Sequence, residues 1–121
     1  MTKIIIYSEL KLLSFPDAQV LEMTADIANK TFSLTLDRAY FDSKHKINID
    51  GGTLVLNNWE HFSSKLYSLE GSWNFDFDEL KDICEFIVSD TQVMLKGFGK
   101  KTGNWTEYVF LKVQAYFYIN H

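Results

Sequence analysis

The C-terminal end of the chain carries the pattern that most constrains the fold. Every second residue from Val109 to Ile119 is apolar. The positions between them carry Phe110, Lys112, Gln114, Tyr116 and Tyr118. Successive side chains of a strand point to opposite faces, so this period of two predicts a strand with one face in the core. A strand that also included Trp105 would be unusually long, so we expect a bulge or break near residues 112–114.

A hairpin is predicted in the N-terminal third of the chain. LEMTADI (residues 21–27) and TFSLTL (residues 31–36) both alternate apolar and polar residues. The loop between them contains Asn29, a residue type that tolerates a left-handed backbone, which is typical of a short hairpin. A helix over residues 16–29, capped by Ser14, is the alternative. The alternation continues across the loop, which favours the two strands.

Further along the chain, turn residues separate short segments of strand-forming residues. Asp50-Gly51-Gly52 predicts a tight turn before a strand at residues 53–57, with residues 47–50 as a candidate hairpin partner. Residues 59–69 fit either a helix or a strand. Residues 78–88 are equally ambiguous. There we expect a helical turn over residues 78–82 leading into a strand, followed by a hairpin with its loop at Ser89-Asp90-Thr91.

Many short strands with turn signals between them are typical of a sandwich or a barrel. The chain has 121 residues, of which 46% are hydrophobic and 16% aromatic, so one domain can bury a substantial core. We therefore expect a single all-β domain over residues 1–121. It should fold as an antiparallel β-sandwich or flattened barrel with at most one or two short helical turns.

The charge of the chain restricts its partners. With 16 acidic and 12 basic residues the net charge is -4, whereas nucleic-acid binding needs a clustered basic surface. We expect no nucleic-acid partner and leave open a basic protein partner. The N-terminal apolar run is too short for a signal peptide, and no run approaches the ~20 apolar residues of a membrane helix. We therefore expect no membrane partner and a cytoplasmic location.

Signatures of catalytic and metal sites are absent from the sequence. The one cysteine, Cys84, has apolar neighbours, which predicts an inert buried thiol. Three histidines lack a second histidine or cysteine at metal-binding spacing: His45, His61 and His121. No nucleophile motif is present. We therefore expect a chain without enzyme activity and without a cofactor.

Two neighbouring carboxylates leave two alternatives open. Asp76 and Asp78 would share a face of a strand, as a calcium-binding pair or as a paired acid and base. The spacing of an EF-hand is missing. A solvated turn is the commoner role of such residues, and we keep calcium binding and a hydrolase with paired carboxylates as open alternatives.

The stretch LKGFGKKTGNWTEYVF (residues 95–110) has the glycines and lysines of a phosphate-binding loop. A P-loop needs a hydroxyl residue after Gly-Lys and a glycine five positions before the second glycine. Lys101 and Met94 occupy those two positions. Phosphate loops also open helices, whereas the segment that follows here is rich in strand formers. We predict a solvated hairpin tip over residues 100–104 that binds no nucleotide.

The same stretch, together with LKDICEF and the tryptophan of NNWEHF, resembles a group of small, mostly uncharacterised bacterial proteins. In these proteins a Gly-Phe-Gly-Lys turn leads to a tryptophan and a Trp-x-Glu-Tyr/Trp strand. LEMTADIANKTFSLTL is also similar to the paired opening strands of small all-β proteins found beside toxin genes. The resemblance covers the chain from about Leu10 onward. It implies an all-β fold and an immunity-type role, and it implies no site residues.

Aromatic residues are the best candidates for a binding surface, because Tyr and Trp often anchor protein interfaces. The candidate partner-binding residues are Trp59, Trp73, Tyr108, Tyr116 and Tyr118. A place in the core is the alternative for each of them. We expect a non-enzymatic protein-binding domain, an immunity-type inhibitor of a bacterial toxin, whose partner is a basic toxin domain or a second copy of the chain. The alternative is a carbohydrate or small-ligand binding module that uses an aromatic face.

Overall fold

The computed structural model describes residues 3–67, 71, 73–74 and 76–119. Within these ranges the one helical element is a 3₁₀ helix over Tyr7–Leu12. The strands, in chain order, are β1 (Lys3–Ile5), β2 (Leu13–Ser14), β3 (Ala18–Asp26), β4 (Thr31–Leu36), β5 (Ala39–Phe41), β6 (Ile47–Ile49), β7 (Gly52–Asn57), β8 (His61–Tyr67), β9 (Trp73–Asn74), β10 (Asp82–Ile83), β11 (Glu85–Val88), β12 (Gln92–Phe98), β13 (Trp105–Leu111) and β14 (Gln114–Ile119).

These strands form three antiparallel sheets. A six-stranded sheet has the order β1-β14-β7-β4-β3-β10, and a five-stranded sheet has the order β11-β12-β13-β8-β9. A small third sheet has the order β2-β5-β6. Strands account for 61% of the structure and helical residues for 6%, and the sheets are not closed into a barrel. The predicted all-β class is confirmed, and the structure is consistent with a sandwich.

The core lies between the two larger sheets. Phe32 of β4 meets two residues of β13 edge to face, with ring centroids 5.5 Å from Tyr108 and 5.1 Å from Phe110. Such pairs add about 0.5–1.5 kcal/mol beyond the area that they bury. Leu13 and Phe41 of the small sheet belong to the same cluster. Aromatic contacts therefore join the two large sheets, and the small sheet extends the core.

The predicted C-terminal strand is two strands in different sheets. β13 ends at Leu111 and β14 begins at Gln114, and between them Lys112 has a backbone φ of 53°. The break falls where the sequence predicted it. It also exchanges the two faces, because even-numbered residues point to the core in β13 and odd-numbered residues do so in β14. The prediction of one continuous core face was therefore wrong, since Val109 and Leu111 point away from the core.

The predicted hairpin over residues 21–36 is present as β3 and β4, and the alternative helix over residues 16–29 is absent. Lys30, rather than Asn29, has the left-handed conformation, with a φ of 55°. The backbone and side-chain nitrogens of Asn29 instead both donate hydrogen bonds to the Asp26 carboxylate. The loop was predicted correctly, and the residue assigned to its left-handed position was wrong.

The two other ambiguous segments contain strands and no helix among their described residues. In the segment 59–69, residues 61–67 form β8, and residues 68–69 lie outside the described residues. No helical turn exists over residues 78–82, where Leu80 makes an isolated β-bridge, so that prediction was wrong. The hairpin around residues 89–91 is confirmed by the pairing of β11 with β12. The predicted pairing of residues 47–50 with β7 was wrong, because β4 and β14 occupy both edges of β7 and β6 pairs with β5.

Candidate binding surfaces

Two of the five candidate aromatic residues lie in the core. Trp59 is 3% exposed, and its ring centroid lies 5.2 Å from Phe110 and 5.6 Å from Phe62. Tyr108 is fully buried. The interpretation of these two residues as partner contacts was therefore wrong. In β13 the physical reason is the break near Lys112, which reverses the face that the even-numbered residues occupy.

The hydroxyl of Tyr108 is used inside the core. It donates a hydrogen bond to the backbone carbonyl of Asp78, and the ring stacks on Phe77 with centroids 5.4 Å apart. Burial, and then the nearby carboxylates of Asp78 and Glu79, raise the pKa of Tyr108 far above its usual value. The neutral hydroxyl therefore ties β13 to the segment that precedes β10.

The other three candidates are Trp73, Tyr116 and Tyr118. Trp73 belongs to β9 and pairs with Tyr67, but its side chain is outside the part of the chain that the structure describes, so its role stays a prediction. Tyr116 and Tyr118 lie on the outer face of the six-stranded sheet, at alternate positions of β14. Their rings meet edge to face with centroids 5.0 Å apart. Of the five candidates, these two are placed where a partner can reach them.

We call the outer surface around this pair the tyrosine face. Its members are Ile4, Glu22, Thr24, Ser33, Thr35, Thr53, Val55, Tyr116 and Tyr118. The strand register sets Tyr116 beside Val55, and Tyr118 beside Thr53, whose hydroxyl lies 3.1 Å from that of Thr35. The hydrogen bond with Tyr118 raises the pKa of Tyr116, and burial adds to the rise. The centre of the face is therefore a set of neutral hydroxyl groups.

The charge at the tyrosine face lies on its β3 margin. Glu22, the one charged member of the face, is on β3, and Asp26, which is not a member, ends the same strand. Hydrogen bonds from the side chain and backbone of Asn29 lower the pKa of Asp26, so this carboxylate is ionised at neutral pH. None of the residues that define the face is basic. Such a margin attracts a surface that exposes Lys or Arg.

The outer surface of the five-stranded sheet is built differently, and we call it the ladder face. Four charged side chains cross it in one row, in the strand order β11, β12, β13, β8: Glu85, Lys96, Glu107 and Lys65. The Lys96 Nζ lies 3.5 Å from the Glu85 carboxylate and 3.1 Å from that of Glu107, and the Lys65 Nζ lies 3.6 Å from Glu107. The hydrogen bond with Glu107 raises the pKa of Lys96. Negative and positive charges therefore alternate along the row.

Apolar side chains flank this charged row on both sides. One flank, in register across β11, β12 and β13, is Ile87, Met94 and Val109. The other flank is Phe98, Trp105 and Tyr67. Three of these flanking residues are among the most exposed large hydrophobic side chains, at 43% for Ile87, 40% for Phe98 and 41% for Tyr67. The ladder face therefore has a charged row between two partly exposed apolar rows.

The sequence prediction missed the ladder face, because cross-strand neighbours are distant along the chain. Glu85, Lys96 and Glu107 follow one another at equal intervals of 11 residues (85, 96, 107), and Lys65 comes from a separate strand. This equal spacing was the feature of the sequence that could have indicated the ladder. It becomes a ladder only when the register of the two hairpins is known.

The glycine-rich loop between β12 and β13 holds an anionic group, which is the chain's own Asp78. The carboxylate accepts hydrogen bonds from the backbone nitrogens of Lys101 (3.2 Å) and Thr102 (2.9 Å) and from the Thr102 hydroxyl (2.8 Å). A Cβ at Gly99 would collide with this carboxylate, so the position requires glycine. Burial raises the pKa of Asp78, but these hydrogen bonds outweigh it and lower the pKa overall.

This contact removes support for a calcium site at Asp76 and Asp78. Calcium needs a shell of oxygen ligands, whereas N–H and O–H donors occupy the Asp78 carboxylate. The Asp76 carboxylate accepts a hydrogen bond from the backbone nitrogen of Phe77. Within the described ranges, no group of three or more His, Cys, Asp or Glu side chains is arranged to hold a metal ion.

Cys84 is exposed, so the prediction of a buried thiol was wrong. It lies between β10 and β11, where the chain passes from the six-stranded to the five-stranded sheet. Partial burial, and then the carboxylates of Asp82 and Glu85, raise the pKa of the thiol. The neutral thiol that this favours is a poor nucleophile.

Comparison with known proteins assigns no family to this chain: no family model, no curated protein and no solved structure matches it. The helical content of the described residues includes nothing long and apolar enough to cross a membrane.

Proposed function

We propose that this chain is a non-enzymatic protein-binding domain, an immunity-type inhibitor of a bacterial toxin, and that it holds the toxin on the tyrosine face. One observation carries the proposal. Tyr116 and Tyr118 form an edge-to-face pair on the outer face of the six-stranded sheet, one strand from its edge. Aromatic side chains held in this way on an accessible sheet are typical anchors of a protein interface.

The tyrosine pair has little conformational entropy left to lose when a partner binds. Both rings are half-buried among their neighbours, and each is held against the other. Ordering a mobile side chain at an interface costs about 0.5–1.5 kcal/mol, and the packing of this pair avoids much of that cost. Val55 and the exposed Ile4 add apolar area on either side.

The charge of the face indicates the chemistry of the toxin surface. Glu22 and Asp26 bring negative charge to the β3 margin, and the chain as a whole has a net charge of -4. A toxin surface rich in Lys or Arg would be steered to this margin, and the association rate would fall as salt rises. A basic toxin domain is therefore the partner that this face fits best.

A carbohydrate-binding role has less support. Sugar rings stack on aromatic rings that lie flat on a surface, so a platform of several rings needs planes that are nearly parallel. The planes of Tyr116 and Tyr118 are 87° apart, and those of Phe98 and Trp105 are 79° apart. These two pairs present an edge beside a face, which suits a protein surface of irregular shape better than a sugar.

Growth rescue tests the proposal. The chain is expressed with the toxin encoded beside its gene, in cells that the toxin kills. We expect the wild-type chain to restore growth and to co-purify with the toxin. Tyr116→Ala and Tyr118→Ala should each weaken binding by about 1–2 kcal/mol, which is about 5- to 30-fold.

Tyr40→Ala is the matched control, because Tyr40 is also a half-buried tyrosine on a strand but belongs to the small sheet. This variant should bind the toxin as the wild type does. A toxin that binds the Tyr116→Ala/Tyr118→Ala double variant with wild-type affinity would contradict the assignment to the tyrosine face. A gene neighbourhood without a toxin would contradict the immunity role.

A further inference from the structure

We infer that the ladder face binds the ladder face of a second copy of this chain, in a homodimer whose twofold axis runs parallel to the strands. This surface is separate from the tyrosine face, on the opposite side of the sandwich. The inference therefore does not depend on the toxin-binding proposal, and each can fail alone.

The order of charges along the ladder carries the inference. From β11 to β8 the signs run minus, plus, minus, plus. A twofold axis that lies between the two faces, parallel to the strands and between β12 and β13, reverses this order in the second copy. Glu85 then faces Lys65 of the second copy, and Lys96 faces Glu107. All four contacts across the interface are attractive.

Other arrangements of the same two faces are unfavourable. An axis parallel to the ladder would set each charge against its own copy, so that all four contacts would be repulsive. An alternating ladder of three charges would be repulsive in both arrangements. Lys65 on β8 supplies the fourth charge of the row. With it, the order of signs in one copy is complementary to the reversed order in the second copy.

The centre of the ladder is already removed from most of the solvent. The Glu107 side chain is 9% exposed and that of Lys96 is 19% exposed, whereas the two ends of the row are more open. Removing charges from water is the cost that commonly cancels the attraction of ion pairs at interfaces. Because the fold itself has covered the two central charges, dimerisation adds little to that cost.

The apolar flanks supply the area that the contact buries. The same twofold axis sets each apolar flank against the same flank of the second copy, with the strand order reversed. Met94 then faces Val109 of the second copy, and Phe98 faces Trp105. Strands β8, β12 and β13 have seven residues each and β11 has four, so at ~4.8 Å between strands and ~3.3 Å per residue they cover roughly 20 Å by 20 Å at most. This is below the standard size of a specific interface, so we expect a weak dimer that dissociates on dilution.

Charge reversal at the ends of the ladder tests the inference by sedimentation velocity. The wild-type chain should change from monomer to dimer as its concentration rises from about 1 μM to about 1 mM. Glu85→Lys and Lys65→Glu should each weaken the dimer by about 10-fold or more, because each creates two repulsive contacts per dimer. An equimolar mixture of the two variants should recover the dimer, since their reversed charges are complementary.

Matched changes on the other sheet provide the controls. Glu22→Lys makes the same change of charge on the tyrosine face and should dimerise as the wild type does. Ile87→Lys, on an exposed flank of the ladder face, should abolish the dimer. Leu21→Lys makes the same change at an exposed apolar residue of β3 and should not. Thermal unfolding shows which variants are folded. If Glu85→Lys is unfolded, the comparison of Ile87→Lys with Leu21→Lys tests the dimer in its place.

Three results would overturn the inference. The first is a wild-type chain that stays monomeric at about 1 mM. The second is a mixture of the Glu85→Lys and Lys65→Glu variants that stays monomeric while the wild type dimerises. The third is a dimer that Glu22→Lys abolishes and Glu85→Lys leaves intact, which would move the contact to the tyrosine face.

Discussion

The tyrosine face and the ladder face distribute polar groups in opposite ways. The tyrosine face has neutral hydroxyls at its centre, such as those of Thr35 and Thr53, and keeps its carboxylates at the β3 margin. The ladder face has its charges in the middle and its apolar side chains on the flanks. A margin of one sign suits a partner of the opposite sign, whereas an alternating row suits its own reversed copy. The same sandwich can therefore support two different kinds of contact.

One continuous stretch of chain contributes to both faces. β13 gives Glu107 and Val109 to the ladder face, and β14 gives Tyr116 and Tyr118 to the tyrosine face. The left-handed residue Lys112 lies at the point where the chain changes sheets. A change in the layer between the sheets should therefore disturb both faces, and a change on the outside should disturb one.

The largest effect is expected at Tyr108, which lies between the faces. Tyr108→Ala removes a fully buried ring and its hydrogen bond to Asp78, so the free energy of unfolding should fall by about 3–5 kcal/mol. Tyr116→Ala should cost less than about 1.5 kcal/mol, because the ring lies on the surface. Urea unfolding measures both. If Tyr116→Ala costs as much as Tyr108→Ala, the tyrosine face is a covered layer and the comparison fails.

The next effect concerns the end of the β12–β13 hairpin, which carries Phe98 and Trp105 on the ladder face. Asp78→Asn weakens the hydrogen bonds that close this hairpin and should lower stability by about 1.5–3 kcal/mol, as expected for bonds to a charged group. Asp76→Asn is the matched control, because Asp76 is exposed and its carboxylate accepts a hydrogen bond from the backbone nitrogen of the next residue, Phe77. Equal losses of stability in the two variants would show that the Asp78 carboxylate stabilises the fold no more than an exposed carboxylate does.

The pH dependence of Asp78 sharpens this prediction. Its pKa is lowered in the folded chain, so its carboxylate stabilises the fold above the usual aspartate pKa of about 3.9, and this contribution is lost as the pH falls below that value. The stability difference between the wild type and Asp78→Asn should shrink between about pH 5 and about pH 2. A difference that stays constant over this range would show that the carboxylate charge is not what closes the hairpin.

The smallest effect separates the two faces by their response to salt. Lys96→Met leaves Glu107 with one ion-pair partner in the described structure and should lower stability by about 1 kcal/mol at low salt and by less at about 1 M NaCl. Because the pKa of Lys96 is raised in the fold, the same contribution should also be lost as the pH rises through that raised pKa, above about 10.5. Thr53→Val removes a neutral hydrogen bond on the tyrosine face and should show no such salt dependence. Equal salt responses would contradict the contrast between the faces.

The sequence predicted strands well because alternation is a local property. It located the break near Lys112, the β3–β4 hairpin and the β11–β12 hairpin from short-range patterns alone. It misjudged the faces of β13 because the alternation runs on through the break while the strands enter different sheets. Sheet membership depends on pairing between distant segments, and no local pattern contains it.

The candidate surfaces were predicted in part for the same reason. Residue type and alternation predicted an outer position for Tyr116 and Tyr118, where the structure has them, and misplaced Trp59 and Tyr108, which are buried. The role of Asp78 was missed because its partners in the loop are 23 and 24 residues away. The ladder was missed because two hairpins and a further strand must be in register before its charges meet.

The most direct test of two separate faces is a dilution series of two-dimensional amide NMR spectra, from about 1 mM to about 10 μM. We expect concentration-dependent shifts at the ladder face, including Met94, Val109 and Trp105, and none at Thr53, Val55 or Tyr116. Addition of the toxin to the dilute chain should then move the second set and leave the first unchanged. Concentration-dependent shifts centred on β7 and β14, or toxin-induced shifts centred on β12 and β13, would contradict the account.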